Sequence, residues 1–84
     1  MYIWKISQTV CEGHETFDSA IVTAGTAEEA KLVHPRGAWP TERWAEDAWA
    51  TRERAAIDVT AELVGTAPEG TPAGQVILAS WNAA

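Results

Sequence analysis

The sequence predicts a small α+β protein of ββαββ pattern, with a four-stranded antiparallel sheet, one short helix on one face of the sheet, and a Trp-rich insert between the helix and the third strand. Three observations lead to this fold class. Four segments have the apolar patterning of strands. A helix-start signal lies between the second and the third of them. A chain of 84 residues is also too short for more than one core, so residues 1–84 are expected to form a single domain.

The first two strands are predicted from alternating side chains. The two-residue period of a strand runs from Tyr2 to Val10 and again from Phe17 to Ala24. On the first strand, Tyr2, Trp4 and Ile6 are expected on one face, and on the second strand Ala20, Val22 and Ala24 are expected on one side. Because residues 12–15 suit a turn, an antiparallel hairpin is the simplest connection.

A short helix is predicted after the second strand. Thr26 and Glu29 have the spacing in which a threonine hydroxyl and a glutamate carboxylate each satisfy a free N–H group of the first helical turn. Pro35 restricts His34 to extended backbone. The helix is therefore expected to run from Ala27 to Val33, which is about two turns.

The insert from Arg36 to Ala55 is the least regular part of the sequence. Several of its residues fall at helical spacing between Thr41, a suitable N-cap, and Thr51. This spacing predicts a second short helix. An irregular Trp-rich loop is the alternative.

Five tryptophans are the unusual feature of the composition. A two-turn helix is too narrow to cover a four-stranded sheet, and one indole buries roughly 150–250 Å². Trp4, Trp81 and at least one tryptophan of the insert are therefore expected in the core. The functional interpretation is that one or two of Trp39, Trp44 and Trp49 stay exposed as binding anchors, because Trp is enriched among interface hot spots.

Two more strands complete the predicted sheet. From Ile57 to Leu63, apolar and polar residues alternate, which predicts one buried face and one solvent-facing one. Residues 65–74 are rich in Gly and Pro and suit a connection. The last strand, from Gln75 to Trp81, is apolar on both faces and is therefore placed in the centre of the sheet.

No catalytic, metal or cofactor motif is recognisable in the sequence. His14, His34 and Cys11 lack the spacing of a zinc site, which needs four ligands. Each glycine stands alone instead of in a phosphate loop, and no serine has the surroundings of a nucleophile elbow. We expect a non-enzymatic protein without cofactor or metal. No apolar run approaches the roughly 20 residues of a membrane span, and a cytoplasmic location in a host cell is expected.

The chain is acidic, with a formal net charge of -6. Residues 1–30 hold five acids against one base, and residues 55–84 hold three acids and no base. This charge opposes direct binding to nucleic acid, because affinity for phosphates comes largely from Lys and Arg. It suits a basic protein surface as partner. Solubility alone is the alternative explanation.

Four segments of the chain resemble a group of small phage- and prophage-encoded proteins. They are Ile6-Ser7-Gln8, Phe17-Asp18-Ser19-Ala20, Thr26 to Ala30 followed by His34-Pro35, and Ile77 to Ala83. The resemblance spans most of the chain outside the insert and implies a ββαββ fold and a phage setting, but no particular activity. More loosely, the order of elements resembles small anti-CRISPR inhibitors of type I effector complexes. The chain departs from these inhibitors in carrying the insert and in being acidic.

These observations predict a phage-type inhibitor that binds a host defence nucleoprotein complex, above all a type I CRISPR effector, through an acidic and aromatic surface. Its carboxylates would face a Lys/Arg-rich surface that normally takes nucleic acid. The residues expected to bind the partner are Glu12, Glu15, Glu42, Trp44, Glu46, Asp47, Trp49, Asp58 and Glu62. Asp58 and Glu62 are expected on one strand face. The alternatives are a nucleotide-binding protein whose indoles stack on a base, and a structural homodimer or larger homo-oligomer with the tryptophans at the self-interface.

Overall fold

The fold is a four-stranded antiparallel sheet with two short helices, which confirms the predicted α+β class. The computed structural model describes residues 1–9, 16–37, 39, 48–49 and 51–82, with the backbone alone at positions 16, 81 and 82. Its elements are β1 (Tyr2–Ser7), β2 (Thr16–Ala24), α1 (Ala27–Lys31), α2 (Arg52–Asp58), β3 (Thr60–Thr66) and β4 (Val76–Asn82). The strand order is β3-β1-β2-β4. The first hairpin therefore lies in the centre of the sheet.

The pairing of β1 with β2 agrees with the faces assigned from the sequence. Trp4 lies opposite Val22, and Ile6 lies opposite Ala20. Ile6 and Val22 are fully buried. Beyond the end of β1, the side-chain amide of Gln8 donates a hydrogen bond of 2.8 Å to the carbonyl oxygen of Phe17, which ties the two strands together. The predicted turn at residues 12–15 lies outside the described residues.

Helix α1 begins at the predicted cap. The Thr26 hydroxyl accepts a 3.2 Å hydrogen bond from the Glu29 N–H, and the Glu29 carboxylate accepts one of 3.2 Å from the Gly25 N–H. The carboxylate therefore reaches one residue further back than a capping box requires. The helix is shorter than predicted, because the N–H groups of Leu32 and Val33 donate to carbonyls three residues back and so tighten the chain after Lys31.

Helix α2 corrects the prediction that a strand starts at Ile57. Ile57 and Asp58 form the last turn of α2, and the Ile57 side chain is 82% exposed. The helix is capped by Thr51, whose hydroxyl accepts a 3.1 Å hydrogen bond from the Arg54 N–H. An Arg54–Asp58 ion pair of 3.1 Å adds support along one helix face. The alternation of residues 57–63 alone is compatible with a strand. The Thr51 cap and the Arg54–Asp58 ion pair nevertheless keep residues 57 and 58 in the helix.

The helix predicted between Thr41 and Thr51 falls mostly outside the described residues. Of this range, the structure describes Ala48, Trp49 and Thr51, and the first two lie in a turn. The structure thus places a helix start at Thr51, where the prediction places a helix end. The sequence contains a signal for this helix start, namely Thr51 followed by Glu53 in the first turn, because acidic residues are favoured there.

Removing the α2 cap is expected to destabilise the protein moderately. Thr51→Ala should lower the free energy of unfolding by about 1 kcal/mol, because the N–H of Arg54 loses its acceptor at the helix end. Thr51→Ser, which keeps the hydroxyl, is the matched control and should stay close to the parent. Urea unfolding followed by circular dichroism measures both. Equal losses in the two variants would contradict a capping role for the hydroxyl.

Strand β4 corrects a second expectation, because it lies at an edge of the sheet and not in its centre. Among the described strands it pairs with β2 alone, and β2 pairs with β1 on its other side. The connection from β3 crosses to the opposite edge and is held down by Thr23 on β2. The Thr23 hydroxyl donates to the Pro72 carbonyl at 2.8 Å and accepts from the Gln75 N–H at 3.0 Å.

The core lies on one face of the sheet and contains many small residues. Its buried members among the described residues are Ile6, Phe17, Ala20, Val22, Ala24, Ala30, Ala48, Trp49, Ala55 and Val59. Alanine allows α1 to approach the sheet closely, because its side chain adds little volume, and α2 packs against α1. Trp49 is the largest fully buried side chain described. It confirms that at least one tryptophan of the insert completes the core.

Candidate partner-binding surface

Three of the predicted partner-binding residues can be located in the structure. They are Trp49, Asp58 and Glu62. The remaining six lie outside the described residues and are Glu12, Glu15, Glu42, Trp44, Glu46 and Asp47. The structure therefore bears on the predicted surface only through the first three.

Trp49 belongs to the core and is inaccessible to a partner in this fold. Its side chain has no solvent exposure and packs in the core cluster. The choice between core and interface is therefore decided for this indole in favour of the core. The reason is that the two short helices leave part of the sheet face uncovered, and a large apolar side chain next to α2 closes it.

Asp58 and Glu62 do not share a strand face, which corrects the arrangement expected from alternation. Asp58 lies in α2, where its carboxylate accepts a 3.1 Å hydrogen bond from the Arg54 guanidinium. Glu62 lies on β3 directly opposite Lys5 of β1. Each carboxylate thus has a base as a neighbour. Together they do not form the uncompensated acidic patch that the sequence suggested.

An open groove with aromatic and apolar walls lies where β1, β3 and the start of α1 meet. Tyr2, Trp4, Gly25, Thr26 and Leu63 line it, and its volume is about 250 Å³. Tyr2 and Trp4 meet edge to face, with ring centroids 6.3 Å apart and planes at 70°. Tyr2 is 43% exposed and Leu63 is 56% exposed, so the walls are open to solvent.

The Trp4 indole is held in place by the backbone. Its Nε1 donates a 3.0 Å hydrogen bond to the Ala24 carbonyl oxygen at the end of β2. The half-buried ring packs against the core and also lines the groove. Trp4 therefore packs against the core, as predicted, and also forms part of the groove wall. A ring fixed in this way offers contact area to a partner at little further cost in side-chain entropy.

The Glu29 carboxylate lies beside this groove. The Glu29 carboxylate binds the N–H of Gly25, a groove residue, and the neighbouring Glu28 is exposed in the same helical turn. A Cβ atom at Gly25 would stand 3.1 Å from the carboxylate oxygen, so this contact is close. The aliphatic part of a Lys or Arg side chain can thus pack against Tyr2 and Trp4 in the groove, with its charged group beside the Glu29 carboxylate.

The groove was missed at the level of sequence because its walls come from distant segments. Pairing of β1 with β3 places Leu63 directly opposite Trp4. A helix of five residues then leaves Tyr2 uncovered at the end of the sheet. The only local signal was the pair Tyr2 and Trp4 on one face of the first strand, beyond the reach of a short helix.

A second aromatic cluster fastens the insert to α2. Trp39 donates from Nε1 to the Leu32 carbonyl at 3.0 Å, and the Arg52 guanidinium lies 4.9 Å from the centre of its ring. The ring of His34, which is buried, meets Trp39 edge to face at 5.1 Å. Since Arg52 covers one face of this half-buried indole, that face is closed to a stacking base. This arrangement gives no support to the nucleotide-binding alternative.

Two other kinds of feature are absent from the described part of the chain. There, His, Cys, Asp and Glu form no group of three or more suited to a metal ion. Neither of the two described helices has the length and apolar character needed to cross a membrane. Comparisons of the chain with protein-family models, curated proteins and solved structures give no match.

Proposed function

We propose that this protein is a non-catalytic inhibitor of phage type that binds a basic, nucleic-acid-binding surface of a host defence complex, with a type I CRISPR effector as the first partner to test. The observation that carries the proposal is the groove of Tyr2, Trp4 and Leu63 with the Glu29 carboxylate beside it and the exposed Glu28 in the same helical turn. It combines apolar contact area with negative charge. This is the acidic and aromatic character expected of the surface, although none of these residues is among those expected.

The charge of the whole chain supports a basic partner. A net charge of -6 attracts a Lys/Arg-rich surface over a distance of about 10 Å at ordinary ionic strength. Such attraction raises the association rate and weakens as salt is added. The apolar walls of the groove supply a contribution that salt screens much less, because burial of apolar area does not depend on charge.

An inhibitory role follows from competition for one surface. A protein surface that binds nucleic acid presents Lys and Arg to phosphates. Carboxylates beside the groove would bind those Lys and Arg side chains and so prevent them from binding nucleic acid. The predicted acids and Trp44 that lie outside the described residues stay predictions, and Glu62, on the opposite face of the sheet from the groove, serves as a comparison.

The proposal predicts that reversing the charge of Glu28 weakens binding to the purified effector at low salt. Glu28→Lys should raise the dissociation constant by about tenfold or more, because it replaces an attraction by a repulsion in the helical turn that holds Glu29. Biolayer interferometry over a salt series measures the effect, and target-DNA binding by the effector measures inhibition.

The matched control is Glu62→Lys, which makes the same change of charge on the opposite face of the sheet. It should alter the dissociation constant by less than about threefold. Equal losses in the two variants would show that net charge alone steers binding and that the groove is not the site. Absence of any binding by the parent protein at low salt would rule out this effector as the partner.

A further inference from the structure

The groove of Tyr2, Trp4 and Leu63 has the size of a site for one long side chain. Its volume of about 250 Å³ lies below the roughly 300–1,000 Å³ of sites that take small-molecule ligands. It is also open to solvent, because Tyr2 and Leu63 are exposed. An open site of this size suits a single side chain that enters from a partner and keeps its polar end in contact with water.

Two aromatic rings form a corner in this groove. The Trp4 Nε1 donates a 3.0 Å hydrogen bond to the Ala24 carbonyl oxygen, which fixes the indole in one orientation. Tyr2 meets this ring edge to face, with the two planes at 70°. A ring face attracts a cation through its negative charge density. A flat cation makes more contact with such a face than a compact one does.

A fixed carboxylate lies beside the aromatic corner. The Glu29 Oε2 accepts a 3.2 Å hydrogen bond from the N–H of Gly25, which lines the groove. Within the described part of the chain, this bond engages Oε2 and leaves Oε1 for a donor from a partner. The chain as a whole carries a net charge of -6, which adds to the attraction for a cation. Rings and carboxylate together favour a cationic side chain with an apolar stem.

Resting on the proposed binding of a basic partner surface, we infer that this groove is a pocket for one arginine side chain of the partner and that it prefers arginine to lysine. A planar guanidinium stacks on the Trp4 indole and at the same time donates an N–H from its edge to the Glu29 carboxylate. A lysine ammonium is compact and strongly hydrated. In an open groove it keeps its water and gains less from the rings.

The chain itself contains a contact of this kind. The Arg52 guanidinium lies 4.9 Å from the centre of the Trp39 ring, and Trp39 is held by a 3.0 Å hydrogen bond from its Nε1 to the Leu32 carbonyl. Trp4 is likewise held by its Nε1 on a backbone carbonyl. Among the described residues, no Arg or Lys lies on the Trp4 ring. An arginine from the partner would supply at Trp4 the contact that Arg52 supplies at Trp39.

Three short peptides test this inference without the effector complex. Each is an acetylated and amidated tripeptide with alanine at both ends and arginine, lysine or citrulline in the middle. Citrulline keeps the flat end of arginine and removes its charge. Titration of the full chain is followed by ¹H–¹⁵N NMR at the Trp4 Nε1–H and the Gly25 N–H. The arginine peptide should bind about fivefold more tightly than the lysine peptide and about threefold or more tightly than the citrulline peptide.

Glu29→Gln separates the charge of this residue from its role in the fold. Glutamine is also accepted in a capping box, so the helix start should be preserved while the charge is lost. The variant should bind the arginine peptide about threefold more weakly than the parent. Glu62→Gln makes the same change on the opposite face of the sheet and should bind it like the parent.

Equal affinities for the arginine and lysine peptides, or for the arginine and citrulline peptides, would overturn the inference. So would NMR shifts that avoid Trp4 and Gly25, or equal weakening in Glu29→Gln and Glu62→Gln. The outcome is distinct from that of the proposed function. Arginine binding in the groove without effector binding would support the pocket and reject the effector as the partner. Effector binding that Glu28→Lys weakens, with no preference for arginine, would support the proposed function and reject the pocket.

Discussion

Replacing Trp49 by alanine is expected to remove about 3–5 kcal/mol from the free energy of unfolding. The side chain is fully buried and is the largest such side chain described. Its described core neighbours include Ala48 and Ala55, which are too small to fill the space it leaves. A domain of this length is expected to have a total stability of only about 4–13 kcal/mol. The variant should therefore lose a large share of the total stability of the domain.

Urea unfolding followed by far-ultraviolet circular dichroism is the suitable measurement, because the substitution alters tryptophan fluorescence. Ile57→Ala serves as the control. It removes an apolar side chain that is 82% exposed on α2 and should change stability by no more than about 0.5 kcal/mol. If Trp49→Ala proved as stable as Ile57→Ala, the indole would not be a core residue, and an interface role would have to be reconsidered.

Replacing Thr23 by valine is expected to cost about 2–3 kcal/mol, although the two side chains have nearly the same shape. The Thr23 hydroxyl is fully buried, donates to the Pro72 carbonyl and accepts from the Gln75 N–H. Valine would leave both backbone groups without their partner in a poorly hydrated place. The loop that leads from β3 to β4 would lose its attachment to the centre of the sheet.

Thr23→Ser tests whether the hydroxyl is responsible. Serine keeps both hydrogen bonds and loses only a methyl group, so its stability should fall between those of the parent and the valine variant, by about 1 kcal/mol from the parent. Denaturation midpoints and limited proteolysis of residues 67–75 measure stability and loop attachment separately. A valine variant more stable than the serine variant would show that packing of this side chain, and not its hydrogen bonding, holds the loop.

Part of the groove could be anticipated from the sequence. The spacing of Thr26 and Glu29 predicts the cap that holds the Glu29 carboxylate beside Gly25. The other wall could not be anticipated in this way. Leu63 reaches Trp4 only through the pairing of β3 with β1, and its own alternation in the sequence predicts a buried side chain where the structure has one that is 56% exposed.

The features that depend on near neighbours in the chain could be predicted from the sequence. These are the alternation of β1 and β2, the Thr26 cap of α1, and the presence of two further strands separated by a Gly- and Pro-rich connection. Each rests on side chains within a few residues of one another. The physical causes are local sterics, capping hydrogen bonds and the two-residue period of a strand.

Strand order, the start of β3 and the burial of Trp49 depend on the tertiary structure. An apolar strand is compatible with the centre of a sheet and also with an edge. Because β2 pairs with β1 on one side and with β4 on the other, β4 lies at the edge. Residues 57–58 are compatible with helix or strand, and the Thr51 cap and the Arg54–Asp58 ion pair select the helix. Trp49 is buried because α1 and α2 are too short to close the core without it. These outcomes depend on contacts between segments far apart in the chain, for which no local pattern carries the information.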